Sequence, residues 1–448
     1  MRLLWHFPEV HLPTMGRSLA VILATVVTTT ACTVFPALVT WAGTKQLGAS
    51  GKTAYGTGVA CDLTGNIVLA GYGNGALGGN TLVGASDLFV TKLTADGATQ
   101  WIRQLGAASQ TTTVTGVATD LSMNVIAAGY VTGALDGNTA TGNPDLFVTK
   151  YNTSGVKLWT RQLGVAAKST QARGVATDSS GNVFVAGGTT GGLDGNTLTG
   201  IRDLFLTKYD LNGTRVWTRQ LGTALFTTDV FAVAADSTGS AIVVGYTNGN
   251  LDGNVLVGTQ DLIAVKYTGA GARLWTQQLG VASATSAAVG VTADVSNNAI
   301  VVGTTNGNLD GNTLNGSTDS VVVMYDTNGN RQWTRLLGAT TKATSGKSVA
   351  VDSSGTVYVT GITNGGLDGS ALPGTSDFFL AKYDSAGTRL FTRQMGAANA
   401  STTSESIAVD PANNLFIGGY TQGSLDGNTL IGTTDAFLVK YDYAGNVQ

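Results

Sequence analysis

Five loops in this chain carry the tetrapeptide Leu-Asp-Gly-Asn, and a further Asp follows each of them seven residues after the Asn. The oxygen donors so placed are Asp136, Asn138 and Asp145; Asp194, Asn196 and Asp203; Asp252, Asn254 and Asp261; Asp310, Asn312 and Asp319; and Asp426, Asn428 and Asp435. Carboxylate and amide oxygens at this spacing suit Ca²⁺, a hard cation that takes oxygen ligands. The loops lack the dense Asp-x-Asp-x-Asp-Gly series and the bidentate Glu of a strong calcium loop. The preferred reading is an Asp-Gly turn followed by a strand-initiating Asp, with calcium as the alternative. Two further loops vary the motif, as Asp368-Gly369-Ser370 and as Leu77-Gly78-Gly79-Asn80.

Other chemistries lack their residues. The histidines are His6 and His11, and Glu405 is the sole glutamate after Glu9. His6, Glu9 and His11 all precede an expected cleavage point near Cys32, so the mature domain has no imidazole for general-base work or transition-metal ligation. A Ser-His-Asp or Cys-His arrangement is excluded on that reading. Carboxylate pairs remain formally open, but nearly every Asp recurs at a fixed phase, and a residue required in every copy is expected to be structural. The chain is therefore expected not to be an enzyme. Cys61 aligns with Thr119, Thr177, Ala235, Ala293, Val351 and Val409, so it reads as a small packed side chain. With a net charge of −3, 12% charged residues and no basic block, there is no counterion-displacing surface for nucleic acid.

Residues 1–42 stand outside the pattern of the rest. Arg17, the apolar run Leu19–Val27 and Thr28-Thr29-Thr30-Ala31-Cys32 have the form of an export signal. Ala31-Cys32 is similar to the end of a bacterial lipobox, which makes Cys32 a candidate for lipidation; plain secretion and a retained anchor are the alternatives. The apolar core is short against the roughly 20 residues of a membrane span. With Cys32 so used, Cys61 has no disulfide partner.

The elements that must position these residues follow from a repeat. Trp101, Trp159, Trp217, Trp275 and Trp333 are spaced by 58, with Phe391 next in phase. Asp87, Asp145, Asp203, Asp261, Asp319, Asp377 and Asp435 mark a second phase, and Asp62, Asp120, Asp178, Asp236, Asp294, Asp352 and Asp410 a third. Residues 43–448 make seven such units. Within one unit, Gly174–Asp178, Asn182–Gly187, Asp203–Tyr209 and Arg215–Leu221 read as four strands with Asp-x-x-Gly turns. Four strands per repeat describe a propeller blade, and seven blades stacked radially cover one another's faces, with the aromatic positions between them. Gly43–Gly48 (GTKQLG) is in phase with the fourth strand and is expected to complete the last blade, which removes the open edges.

The phrases VATDSSGNVFVAG, DLFLTKYDLNG and WTRQLG resemble the SBBP repeat family of seven-bladed β-propellers in bacterial surface proteins and lipoproteins. The resemblance covers all seven units and implies the fold far more than a function. Asp210-x-x-Gly213-x-x-x-Trp217 is also similar, one residue shorter, to the tryptophan-docking motif of quinoprotein propellers.

Because strands alternate in direction, the short hairpins share one face of the ring, and the long second-to-third and inter-blade loops share the other. The inter-blade segments differ between copies. A rigid scaffold that presents varied loops commonly makes a binding face. Lys52, Tyr55, Lys168, Arg173, Phe226, Asp229, Phe231, Lys342, Lys347 and Glu405 are the candidate ligand-binding residues there. The expected protein is a monomer at the bacterial cell envelope, either lipid-anchored or secreted. It would bind a protein or a polysaccharide, or serve as a scaffold for envelope assembly or adhesion.

Overall fold

A computed structural model describes Trp41 and residues 43–448 of the protein. The segment expected to direct export, Cys32 and the histidines lie outside the described residues. Seven four-stranded antiparallel sheets stand around a common axis, and two single turns of 3₁₀ helix, Leu193–Gly195 and Leu309–Gly311, are the helical content of the described residues. The third blade is typical, with strands Thr170–Thr177, Val183–Thr189, Asp203–Tyr209 and Arg215–Leu221 paired in chain order. The inner strand starts at Thr170, four residues before the expected Gly174, and this difference governs the functional site.

Seven apolar clusters hold the ring together, and each draws on two adjacent blades. One joins Val68, Leu88, Val90 and Trp101 of the first blade to Val125, Phe147 and Tyr151 of the second. The cluster that joins the seventh blade to the first closes the circle, with Phe416 and Leu438 against Val59 and Phe89. Burying both faces of every inner sheet is what allows the second and third strands to be apolar almost throughout.

Closure uses the N-terminal strand. Lys45–Leu47 pairs with Asp435–Tyr441 in the register Lys45↔Leu438, Gln46↔Phe437, Leu47↔Ala436. The tryptophan of this strand is Trp41, two residues out of phase with the other six units. In ordinary blades the aromatic ring covers the turn glycine of the next blade: a Cβ on Gly155 would stand 2.8 Å from Trp101, and one on Gly213 2.8 Å from Trp159. Trp41 covers Gly97 at the same 2.8 Å and packs edge-on against Phe416, with centroids 5.5 Å apart. This contact from one blade's Trp to the next blade's turn is the docking that the Asp-x-x-Gly-x-x-x-Trp spacing implied.

Candidate functional site

Most of the repeated polar residues are accounted for by structure. In the third blade the Asp203 carboxylate, fully buried, accepts the backbone N–H groups of Thr199 and Gly200 at 2.7 Å each and Gln220 Nε2 at 3.0 Å. Gln220 in turn accepts the Leu193 N–H, while Arg219 donates to Gly271 of the next blade at 2.8 Å and stacks over Trp217. The Gln and Arg of Trp-Thr-Arg-Gln-Leu-Gly thus clasp a loop and the neighbouring blade, while the Thr218 hydroxyl meets Thr207 on the adjacent strand of its own blade.

The same holds for the loops considered for calcium. Asp194 lies in the left-handed region, at φ 55°, and its carboxylate pairs with Arg215. Asp136 pairs with Lys157, Asp252 with Arg273, and Asp310 with Arg331, while Asp426 accepts Thr44. Asn138, Asn196, Asn254, Asn312 and Asn428 each turn their amide N–H onto the leucine carbonyl of their own loop. Asp145, Asp261, Asp319 and Asp435 hold two backbone amides each, as Asp203 does. Among the described residues no group of three His, Cys, Asp or Glu side chains is arranged to hold a metal ion. The oxygens that the calcium alternative would bring together take part in a turn, an ion pair or hydrogen bond to a neighbouring strand, and a strand clasp. The melting temperature should be the same in excess chelator and in millimolar calcium; a calcium-dependent rise of several degrees would reinstate the metal.

The residues that break the repeat converge elsewhere. In each blade the pairing of first and second strands skips one residue, as between Ala172 and Gly174, which is a β-bulge. The bulged residues are Thr57, Thr115, Arg173, Phe231, Val289, Lys347 and Glu405. No two charged or aromatic members are alike. All seven line both a chamber of about 440 Å³ toward the long loops and a smaller one of about 160 Å³ beyond it. One chamber touched by every blade must lie on the axis. Four expected residues therefore do not sit on loop tips: Arg173, Phe231, Lys347 and Glu405 form the axial ring. Tyr55 stands above them in the same chamber, and Asp229 is buried beside it on the inner strand.

The upper chamber is walled by tyrosines. Tyr55 stacks on Tyr72 with centroids 5.2 Å apart and meets Tyr420 edge-on at 4.9 Å; Tyr130 completes the wall. Burial pushes the Tyr72 phenol up to about 12, with the neighbouring tyrosines and Glu405 adding to it. Lys347 and Glu405 neutralise one another across adjacent blades at 3.2 Å. The Arg173 guanidinium lies between Tyr130 and Phe231, 5.9 Å from each centroid, and donates to Gln171 Oε1 at 2.9 Å. Phe231 is stacked on Tyr246. Behind Arg173, Arg202 pairs with Asp229 at 2.8 Å. Gly188 makes room for that pair where four other blades have Tyr: a Cβ there would stand 2.1 Å from Asp229 Oδ1 and 2.3 Å from Arg202 Nε. Burial holds the Asp229 carboxyl above the usual carboxylate range against the pull of Arg202 and Arg173. Tyr72, Tyr130, Tyr246, Tyr420, Gln171 and Arg202 were not expected at a site from the sequence. For the tyrosines and Arg202 the signal was present as residues on the second strand and at the end of its loop, outside the inter-blade segments taken as variable, whereas Gln171 lies inside one of those segments, on the first strand.

The remaining candidates are exposed on the long-loop face. Lys52, Lys168, Phe226 and Lys342 share one phase, and each lies over a loop glycine of its blade pair: Gly75, Gly191, Gly249 and Gly365. At one place this face turns apolar. Ile201, Leu225 and Phe226 are 64%, 83% and 41% exposed, and Ile201 N–H bonds Phe226 O at 2.8 Å. The other six units have Ala, Asn, Thr or Ser at the Ile201 phase and Gly, Ser, Ala, Thr or Asn at the Leu225 phase. Cys61 packs against the core between the seventh and first blades, and burial, followed by Asp410 and Asp62, pushes its thiol well up, away from the reactive thiolate.

Comparison with known proteins agrees with this architecture. A family model described as SBBP: Beta-propeller repeat matches residues 43–79, 100–133, 158–194, 216–252, 274–310, 332–368 and 390–426. The regulatory protein FlaEY of Caulobacter vibrioides is 29% identical over 153 residues, a stretch that spans 31% of this chain and 16% of that protein. A chain in a crystal structure of the mitotic checkpoint complex superposes with a TM-score of 0.51 at 12% identity, covering 96% of this chain and 99% of that one, which bears on the fold alone.

Proposed function

The chain belongs to the SBBP beta-propeller repeat family, and on that premise we propose that it is a non-catalytic binding propeller whose ligand, a protein or a polysaccharide, enters from the long-loop face and seats on the axis. One observation carries the reading. The positions at which the seven copies disagree most in charge and shape are the seven that meet in one chamber, while the copies agree at the carboxylates that a hydrolase would need. Cell-envelope or secreted placement rests on the composition of residues 1–42. The likeness to a regulatory protein spans too little of that protein to carry its role across.

The test is capture from solubilised envelopes on immobilised protein, read beside a Phe231→Ala variant. Loss of the captured species with an unchanged melting temperature supports axial binding; equal capture by both proteins counts against it.

A second reading, a scaffold that docks an envelope protein, is favoured by the Ile201, Leu225 and Phe226 patch. Leu225 is in the left-handed region at φ 69°, where Gly51 stands in the first blade. An L side chain there costs on the order of 1–2 kcal/mol, so Leu225→Gly should leave stability unchanged or raise it by up to about 1 kcal/mol once the entropy of glycine is set against the relief. Combined with Phe226→Ala, it should abolish protein crosslinks to this face. Crosslinks that persist in the double variant would remove the scaffold reading.

A further inference from the structure

We propose that the upper axial chamber seats a carboxylate-bearing sugar ring, one unit of an acidic polysaccharide. The proposal deepens the axial-binding reading and rests on it. It follows from the charge count and the surfaces of the chamber. Two guanidiniums, Arg173 and Arg202, face one carboxylate, Asp229, and that carboxylate is paired directly with Arg202. Lys347 and Glu405 cancel. Arg173 is left as the surplus cation: among the described residues its Nη2 has one neutral acceptor, Gln171, and its Nε is buried without a partner. A planar guanidinium with unmet donors recognises a carboxylate by parallel hydrogen bonds.

The walls set the rest of the ligand. A pyranose has a C–H face that packs on an aromatic ring and hydroxyl edges that need donors and acceptors. Tyr55, Tyr72, Tyr130 and Tyr420 offer aromatic surface together with phenol hydroxyls that make no protein hydrogen bond among the described residues, and Phe231, stacked on Tyr246, adds an apolar wall beside Arg173. An aliphatic acidic side chain of a peptide would meet the cation but leave the phenols unused. At about 440 Å³ the chamber is at the small end of ligand sites, roughly 300–1,000 Å³, so a sugar unit enters and a folded domain does not.

The experiment is calorimetric titration of the protein with galacturonate oligomers, with neutral galactose oligomers of the same length and with an oligoglutamate peptide, repeated on Arg173→Gln and Arg173→Lys. The uronate should bind and the neutral oligomer should bind at least about tenfold more weakly. Arg173→Gln should lose about 10–100-fold for the uronate, the range of a charge-assisted hydrogen bond, at an unchanged melting temperature. Arg173→Lys should fall between the two. Equal binding of the neutral oligomer, or an Arg173→Gln variant as good as the parent, overturns the carboxylate. Tighter binding of oligoglutamate overturns the sugar. In either case capture from envelopes that still depends on Phe231 leaves axial binding standing, whereas failure of both tests removes both.

Discussion

Gly222→Ala should destabilise the protein by about 3–5 kcal/mol, far more than alanine costs at an ordinary exposed position. The added Cβ would stand 1.8 Å from Asp203 Oδ1 and 2.3 Å from its Cγ, and Asp203 is fully buried. The carboxylate cannot move without releasing the Thr199 and Gly200 amides and Gln220 Nε2, and each buried donor left unmade costs roughly 1–3 kcal/mol. The cycle with Asp203→Ala separates the terms. Asp203→Ala alone loses the same three bonds, and in the double variant the methyl no longer meets an obstacle, so the pair should cost well under the sum of the singles. Gly195 is the internal control: nothing lies within 4 Å of its Cβ position, and only its φ of 79° is at stake, so alanine there should cost on the order of 1 kcal/mol. Urea unfolding followed by near-UV dichroism gives all four values. A Gly222→Ala protein within about 0.5 kcal/mol of the parent would dispose of the clasp.

The contrast between Gly222 and Gly195 shows what the sequence could and could not convey. Both recur in all seven units, and recurrence alone does not tell them apart. The fold was legible because its signals are local or strictly periodic: alternation in NVFVAG, Asp-x-x-Gly hairpins, and a phase of 58 residues that leaves room for seven blades and a donated strand. The candidate site was half legible. Tyr55, Arg173, Phe231, Lys347 and Glu405 were identified as departures from the repeat, but they were assigned to loops. The reason is the bulge, which inserts one residue into the inner strand and so shifts its two-residue alternation within the segment being read. The Leu-Asp-Gly-Asn loops left two readings open, a turn with a strand-initiating Asp and a calcium site. Their oxygens have the spacing of cation ligands, but their partners, Arg215 for Asp194 and Gln220 for Asp203, lie on the fourth strand, which no local spacing reveals. Trp41 was invisible for a third reason: it does the work of the repeated Trp from a position two residues out of phase. Lysines such as Lys92, on the third strand of its blade, gave no sign that their charge is fully buried.

That burial sets the second large effect. Lys92→Met should cost about 3–5 kcal/mol at neutral pH, because it leaves the buried Asp62 carboxylate without its counter-ion. The pair is 2.8 Å apart, with side-chain exposures of 2% and 0%. Burial by itself would push the Asp62 carboxyl up; Lys92, Asn66 and Thr64 outweigh it and hold the group at about 2. Asp120 and Asp236, paired with Lys150 and Lys266 at 2.8 Å, are lowered by the same balance. A folded-state value below the unfolded one, about 3.9, means stability that is present above pH 4 and is lost as the pH falls through the folded value. For Asp62 this amounts to roughly 2–3 kcal/mol, given about 1.4 kcal/mol for each pH unit of displacement. Asp229, held above its usual range, works in the other direction, gaining relative stability as it is protonated. It is outnumbered by the lowered carboxylates, so the parent should lose stability steeply between pH 4 and 2. In Lys92→Met the Asn66 and Thr64 bonds remain, so the carboxyl should stay lowered but by less, as Asp352 is lowered by Ser354, Thr356 and Tyr358 with no lysine paired to it: the gap from the parent should be widest near pH 7 and narrow as the pH drops. The fifth blade has Met324 at this phase beside Asp294, but Asp294 is only half-buried and bonds Asn298, so the natural exception occurs where the carboxylate can stay wet. Free energies of unfolding for both proteins from pH 2 to 7 decide the matter. Parallel curves would mean that the ion pair does not set the acid limit of the ring.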